Sequence, residues 1–319
     1  MPKAELPHTL QGAIEDYNAW ADRYMRSVER RHAIQKPLYH YTDANGLKGI
    51  IENQEIWFTD FRYLNDPSEL SHGMNLAHGV IAKGVAGASW IKHFYAMLGG
   101  MFSIDNFSDH IRFFIASFSR DRDELGQWRA YADNGRGFAL GLSPKLFAPD
   151  DPLDKDPLKN LVVGPIVYDN AATKRRQAMP IKKAHDILAK SEWYASKHLN
   201  NGKILRQFLD NLARYVIASP LIWNCLVCKH PAYKSENEVR LIILGLSKLF
   251  KGRVPVRIRK GEVVPYIPRQ LPLHTPGNIV EIVIGPAAPL GTEEGVRALL
   301  DKFKINAPIR RSTIPYRPV

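Results

Sequence analysis

The strand-like runs of this chain are short and irregularly spaced, and the helical stretches between them differ widely in length, which limits the folds open to it. Leu38–Thr42, Ile56–Thr59, Arg112–Phe118, Gly137–Leu142, Leu161–Tyr168, Val239–Leu244, Val254–Ile258 and Ile279–Ile284 are rich in β-branched, aromatic and aliphatic residues. Without a regular alternation of strand and crossover helix, they argue for an α+β fold rather than a doubly wound sheet. No Gly-x-Gly-x-x-Gly follows a strand and no Walker loop occurs. A nucleotide held here would therefore not lie in a Rossmann cradle.

The helical pattern supplies the rest of the organisation. Residues 11–33 carry Ile14, Tyr17, Trp20, Tyr24 and Val28 at steps of three and four, an amphipathic helix ending before Pro37. Asp43 can cap a second helix whose Leu47, Ile50 and Ile51 face inward, and Asp66, Pro67 and Glu69 read as the start of a third. Residues 170–230 read as mostly helical, with breaks near Pro180, residues 200–202 and Pro220. A last helix is expected from Thr292 to Phe303. The expectation is an N-terminal helical extension over 1–36 and one domain over 37–319, with a helical insertion at about 170–230.

Composition narrows the partners. The hydrophobic fraction of 45% and charged fraction of 24% are ordinary for a soluble globular protein, and no apolar run approaches a bilayer span of about 20 residues. The start Met1-Pro2-Lys3-Ala4-Glu5 lacks a secretory apolar core, so a cytoplasmic, bacterial-type location and no membrane partner are expected. With 44 Lys and Arg against 32 Asp and Glu, the net charge of +12 favours anionic ligands such as NAD, nucleic acid or acidic protein surfaces. The basic clusters Arg30-Arg31, Lys174-Arg175-Arg176, Lys182-Lys183, Lys251 to Lys260 and Arg310-Arg311 read as solvated faces. Cys225 and Cys228 form a lone Cys-x-x-Cys without the second half of a zinc pattern. No metal is expected, and the pair reads as packed helix cysteines.

Three segments carry groups suited to chemistry. Leu38-Tyr39-His40-Tyr41-Thr42 puts an imidazole in a short aromatic strand, with Thr42 on the same face. Ile56-Trp57-Phe58-Thr59-Asp60 offers an aromatic platform at a strand end, and Glu236-Asn237-Glu238-Val239-Arg240-Leu241-Ile242 sets two carboxylates at the head of an apolar strand. Each has a plainer reading: His40 as a core histidine satisfied by backbone, Trp57 and Phe58 as core, Glu238 as partner of Arg240 or Lys234, and Glu236 as a loop carboxylate.

The order of strand, helix, strand and distant carboxylate strand resembles the His-Tyr-Glu branch of the ADP-ribosyltransferase superfamily. That resemblance implies a split antiparallel or mixed β core and an enzyme that breaks the nicotinamide bond of NAD. His40 is similar to the histidine that hydrogen-bonds NAD ribose, with Tyr41 and Thr42 beside it. Trp57 and Phe58 resemble the nicotinamide-stacking motif. Here tryptophan leads that motif and Ser68 stands where a second aromatic is expected, so Tyr63 or His72 would complete the pocket. Glu238 resembles the catalytic glutamate that stabilises the sugar cation. Glu236 resembles the earlier carboxylate of a Glu-x-Glu pair, which orients the attacking nitrogen.

A second resemblance, from about residue 37 onward, is to a bacterial family filed as a domain of unknown function. It rests on Leu38–Thr42, Tyr63-Leu64-Asn65-Asp66-Pro67-Ser68-Glu69, Ser117-Phe118-Ser119, Gln127-Trp128-Arg129-Ala130-Tyr131, Glu236–Leu241 and Ser312-Thr313-Ile314-Pro315-Tyr316-Arg317. It implies a toxin or phage-defence role. Within that pattern Asn65, Ser119, Arg129 and Tyr131 gather polar groups that could bind phosphate or nicotinamide, or serve as turns and caps. The combined expectation is an NAD-dependent ADP-ribosyltransferase with NAD as co-substrate and a macromolecular acceptor, nucleic acid ahead of protein. An antitoxin-like regulatory partner is implied. The alternatives are an NAD glycohydrolase and a non-catalytic nucleotide- or nucleic-acid-binding module.

Overall fold

The computed structural model describes residues 6–31, 33–64, 68–84, 89–103, 111–147, 161–190, 202–259 and 261–317. The chain is α+β and divides into two compact units, each assembled from three separate segments.

One unit holds all the named strands and comprises His32–Asn65, Ile111–Ile166 and Ala232–Val319. Its strands are β1 (Leu38–Thr42), β2 (Glu55–Asp60), β3 (Ile111–Ser119), β4 (Phe138–Leu142), β5 (Leu161–Pro165), β6 (Glu238–Leu246), β7 (Val256–Arg259), β8 (Glu262–Gln270), β9 (Ile279–Ile284) and β10 (Ile309–Arg311). They form one mixed sheet that branches at β3. Strand β6 pairs with β3 along its whole length, from Ile111–Leu246 to Ser119–Glu238, and β5 pairs with the far side of β6. A strand has only two edges, so β1 and β2 must share the other edge of β3. Strand β1 joins it at Tyr39–Ser119 alone and continues into β4, β9 and β10. Strand β2 joins it at Thr59–Ile115 and Asp60–Phe114 and continues into β8 and β7. Ser117 lies on β3 between those two attachments, where the branches part.

Alternation along these strands separates a dry face from a polar one. Leu38, Phe58, Phe114, Ala116, Phe118, Leu140, Val239, Leu241 and Ile243 point together into the main apolar core. The helix Ala44–Asn53 adds Leu47, Ile50 and Ile51 to it, and Asp43 caps that helix by accepting from Gly46 N. A smaller cluster of Tyr39, Tyr41, Trp128, Ala132, Ala139 and Val283 lies on the other side.

Strand β8 is absent from the sequence reading because Pro265 and Pro268 look like breakers. In the sheet they pair with different neighbours, Pro265 with Val256 of β7 and Pro268 with Trp57 of β2.

The second unit comprises Met1–Arg31, Asp66–His110 and Val167–Pro231 and is helical. Its helices are His8–Arg31, Ser68–Ile81, Ser89–Met101, Asn170–Lys190, Gly202–Val216 and Ile222–Leu226. The N-terminal helix and the expected insertion thus belong to one body, together with residues 66–110. Helix Asn170–Lys190 runs through Pro180, where a break was expected. Gln177, Pro180, Ile181 and Ala184 are all buried there, so packing offsets a penalty of about 3 kcal/mol for an interior proline. At Pro220 the expected irregularity takes the form of a π turn, Ile217–Leu221.

Cys225 ends up buried, and Cys228 lies just past its helix, bridged to Val167. A Cβ on Gly73 would collide with both cysteines, so the two segments cross at close range. Burial pushes the Cys225 thiol well up, and Gln177 Nε2 donates to its sulfur at 3.2 Å. Such a thiol is a packed group rather than a reactive one. Among the described residues no three His, Cys, Asp or Glu side chains are grouped to hold a metal ion, and no helix is long and apolar enough to cross a membrane.

Candidate active site

The branch point at Ser117 gathers the chemistry. His40 Nδ1 lies 3.1 Å from the Ser117 carbonyl, from 77 positions away in the chain. Ser117 Oγ donates to Glu238 Oε1 at 2.7 Å, from 121 positions away. The sequence-predicted histidine and glutamate therefore engage the backbone and the side chain of one residue.

His40 is there because β1 peels away. Beyond Tyr39–Ser119 the two strands no longer pair, and the ring occupies the opening with Phe118 at 5.3 Å between centroids. A carbonyl oxygen only accepts, so Nδ1 must carry the proton and Nε2 is left as an acceptor in the neutral ring. Burial lowers the pKa of His40, the Ser117 bond opposes that shift, and the charge of Arg257 adds to it. Burial and the Arg257 charge thus favour the neutral ring.

Glu238 opens β6, and Arg240 two residues on reaches back to it. Arg240 Nε donates to Oε1 at 2.8 Å and Nη2 to Oε2 at 3.2 Å, with the side chains only 4% and 6% exposed. This is a two-pronged guanidinium–carboxylate contact in a dry setting. The plainer reading, Glu238 as partner of Arg240, describes part of its surroundings, and the Ser117 hydroxyl adds to it.

Glu236 does not stand on the strand with Glu238. It closes the 3₁₀ turn Pro231–Glu236, and Asn237 adopts φ +45°, so alternation begins only at Glu238. An asparagine suits this left-handed position. Asn237 Nδ2 donates to Asp121, Arg120 N donates to Asn237 O, and Ser119 Oγ donates to Glu236 O, which pins the turn to the end of β3.

Cross-strand register sets the other groups on a common face. The pairs Glu238–Ser119, Arg240–Ser117, Ile115–Thr59, Thr59–Tyr266 and Val264–Arg257 step from β6 to β7 with side chains on the same side. Trp57, two residues before Thr59, belongs to that face and is 38% exposed. Its ring packs on Tyr266 at 4.7 Å, and its Nε1 donates to Glu55. Arg257 lies over Trp57 at 5.0 Å and Tyr266 at 5.6 Å and donates from Nη2 to Thr59 Oγ1 at 2.8 Å.

Several expected site residues are committed elsewhere. Phe58 is 1% exposed inside the main core, because alternation turns it away from Trp57, and it cannot wall a nicotinamide pocket. Tyr41 is buried edge-on against Trp128; its hydroxyl donates to Asp121 O and accepts from Glu124 N. Ser119 donates to Glu236 O and accepts from Asp121 N, so its hydroxyl shapes the turn instead of meeting phosphate.

Thr42 ends β1 on the side of His40, half-buried. Tyr63 is half-buried in a short turn, where its carbonyl accepts from Arg259. Arg129 is exposed on the helix Leu125–Tyr131, and Tyr131 packs on the small cluster beside Ile314. His72 belongs to the helical unit and contacts Asn170 Oδ1 and the ring of His230. Asn65, and the cap expected at Asp66 and Pro67, lie outside the described residues.

Other recognisable motif residues hold the fold. Asp123 accepts from Trp128 Nε1, Ser312 Oγ and Thr313 N, clasping the closing segment to the start of helix Leu125–Tyr131, and Tyr316 OH donates to Asn134. Asp60, fully buried, accepts from Arg62 Nε and Nη2 and from Arg112 Nε and Nη2. The sequence reading missed this clamp and missed Arg257, which it placed on a solvated face. Strand β7 reads Val-Arg-Ile-Arg, and the usual rule buries the aliphatics. Here Val256 and Ile258 are 59% and 71% exposed while Arg257 turns inward.

Residues 127–241 match the model of a family described as a protein of unknown function, DUF2971. The matched span includes Glu238 and Arg240 and excludes β1 and β2. No curated protein and no solved structure matches the chain.

Proposed function

We propose that the β unit binds NAD and cleaves its nicotinamide–ribose bond, transferring ADP-ribose to a macromolecular acceptor. The observation that carries the reading is the meeting of His40 and Glu238 on Ser117, at the place where the sheet opens. The donor set fits a ribose. His40 offers Nε2 as an acceptor for a ribose hydroxyl, Glu238 offers an anion to the positive charge that develops as nicotinamide leaves, and Trp57 offers an exposed aromatic face on the side of the sheet that carries Glu238.

Glu238 is only 6% exposed, so a sugar hydroxyl reaches Oε1 by taking over from the Ser117 hydroxyl. One neutral O–H donor replaces another, an exchange with little net free-energy change. The fork from Arg240 keeps the carboxylate in place while that exchange occurs, so its negative charge is aimed before the bond breaks. Phe58, Tyr41 and Ser119 have no part in this scheme. Glu236, in its turn, is left as a candidate for orienting the acceptor.

The test is the fate of NAD labelled in its adenylate half, incubated with the purified chain and a cell extract. Label on macromolecules supports transfer, and free ADP-ribose supports the glycohydrolase reading. Bound but intact NAD supports a non-catalytic module. A Glu238→Gln variant should abolish both kinds of turnover. Undiminished turnover in a folded Glu238→Gln chain would remove Glu238 from its role.

A further inference from the structure

Among the described residues, Arg257 is a cation without a counter-ion. No carboxylate pairs with it among the described residues, and its Nε is closed to water and has no hydrogen-bond acceptor. Among the described residues its hydrogen bond goes to a neutral hydroxyl, Thr59 Oγ1, and its Cζ lies over the rings of Trp57 and Tyr266. Burial and the neighbouring charge of Arg259 both disfavour its protonated form.

Cation–π contacts offset part of that cost but supply no negative charge, and since Nε is closed to solvent a ligand would meet the guanidinium at its Nη groups. The strand could have avoided the problem. Turning β7 over would bury Val256 and Ile258 and release the guanidinium to solvent, yet the aliphatics are outside and the arginine is inside.

We infer that Arg257 is an anion site, and that the anion is the diphosphate of a nucleoside diphosphate moiety. A guanidinium presents several N–H donors in one plane, which suits phosphoryl oxygens better than a point-charge ammonium does. Its aromatic neighbours hold the side chain in place before the ligand arrives. The site lies on the sheet face of Trp57, Ser117 and Glu238, and its charge reaches His40. The identification of the diphosphate with that of NAD rests on the proposed function. The anion site itself does not.

The experiment is calorimetric titration of the full chain with inorganic pyrophosphate, ADP and adenosine, alongside Arg257→Met and Arg257→Lys variants whose melting is checked first. Pyrophosphate and ADP should bind the wild-type chain and weaken with added salt. Arg257→Met should lower ADP affinity by about ten- to a hundredfold, as for loss of charged hydrogen bonds, with Arg257→Lys between the two. Adenosine binding should be unchanged by either substitution. The inference is overturned if wild-type protein binds neither ADP nor pyrophosphate at millimolar concentration, a result that does not depend on the variants folding. Equal ADP affinity in a folded Arg257→Met chain overturns it too. If ADP binding depends on Arg257 while NAD survives intact, the anion site stands and the transferase reading falls. If NAD is cleaved equally by the wild-type and Arg257→Met chains, the transferase reading stands and Arg257 does not hold the diphosphate of NAD.

Discussion

Replacing Arg240 with Met tests the electrostatics at the branch point. Arg240 and Glu238 are 4% and 6% exposed and joined by two hydrogen bonds of 2.8 and 3.2 Å. Methionine fills much of the volume but withdraws the guanidinium from a desolvated carboxylate. Removing one partner of a buried pair costs about 3–5 kcal/mol. At about 2–4 °C per kcal/mol for a unit of 150–250 residues, the melting temperature should fall by about 6–20 °C. Thermal denaturation followed by circular dichroism measures it. Pairing Arg240→Met with Glu238→Gln should recover most of the loss. A fall below about 2 °C, or a double variant no better than the single one, would refute the claim that this pair is buried and coupled.

Other consequences follow from the same geometry. Asp60→Asn, which removes the buried carboxylate shared by the partly exposed Arg62 and Arg112, should lower stability by about 1–3 kcal/mol, measured by urea denaturation. The lowered pKa of His40 means that the folded chain resists its protonation. Stability tied to this group is present above the ordinary value of 6.5 and lost as pH falls below it, and NAD binding should weaken only in that acidic range. Titrating the His40 ring by NMR checks the direction. Ser117→Ala removes a hydrogen bond to a buried carboxylate, worth about 1.5–3 kcal/mol, and should lower the melting temperature by about 3–12 °C; NAD cleavage, in which a ribose hydroxyl takes that donor's place, should change by no more than about threefold. Gly137→Ala should destabilise the β unit in a thermal melt, since an added Cβ would collide with the Thr42 carbonyl and the Ala132 backbone.

Periodicity made the α+β class, most strands and the amphipathic helices legible, because apolar residues recur at the spacing that burial demands. Strand β8 was hidden because proline argues against a strand, and only its two different neighbours explain why it is tolerated. Pro180 misled in the opposite direction, since packing on a helix is not visible in its own sequence.

The candidate site was legible in two of its residues and obscure in their setting. His40 and Glu238 stand out as polar groups within apolar strands. That they meet at Ser117 depends on β1 leaving β3 after a single residue pair, which no local pattern announces. Phe58 shows the limit of a motif read without a face: its neighbour Trp57 points outward and it must therefore point in. Arg257 shows the converse, a charged residue turned inward against the usual alternation.

A double-mutant cycle on nicotinamide release probes the pairing of imidazole and carboxylate most directly. His40→Ala, Glu238→Gln and the double variant are compared with wild type at saturating and limiting NAD. If both groups serve one bound dinucleotide, each single change should cut the limiting-NAD rate steeply, and the double variant should be little worse than the poorer single one. Losses that multiply independently, or a rate untouched by either change, would contradict the account.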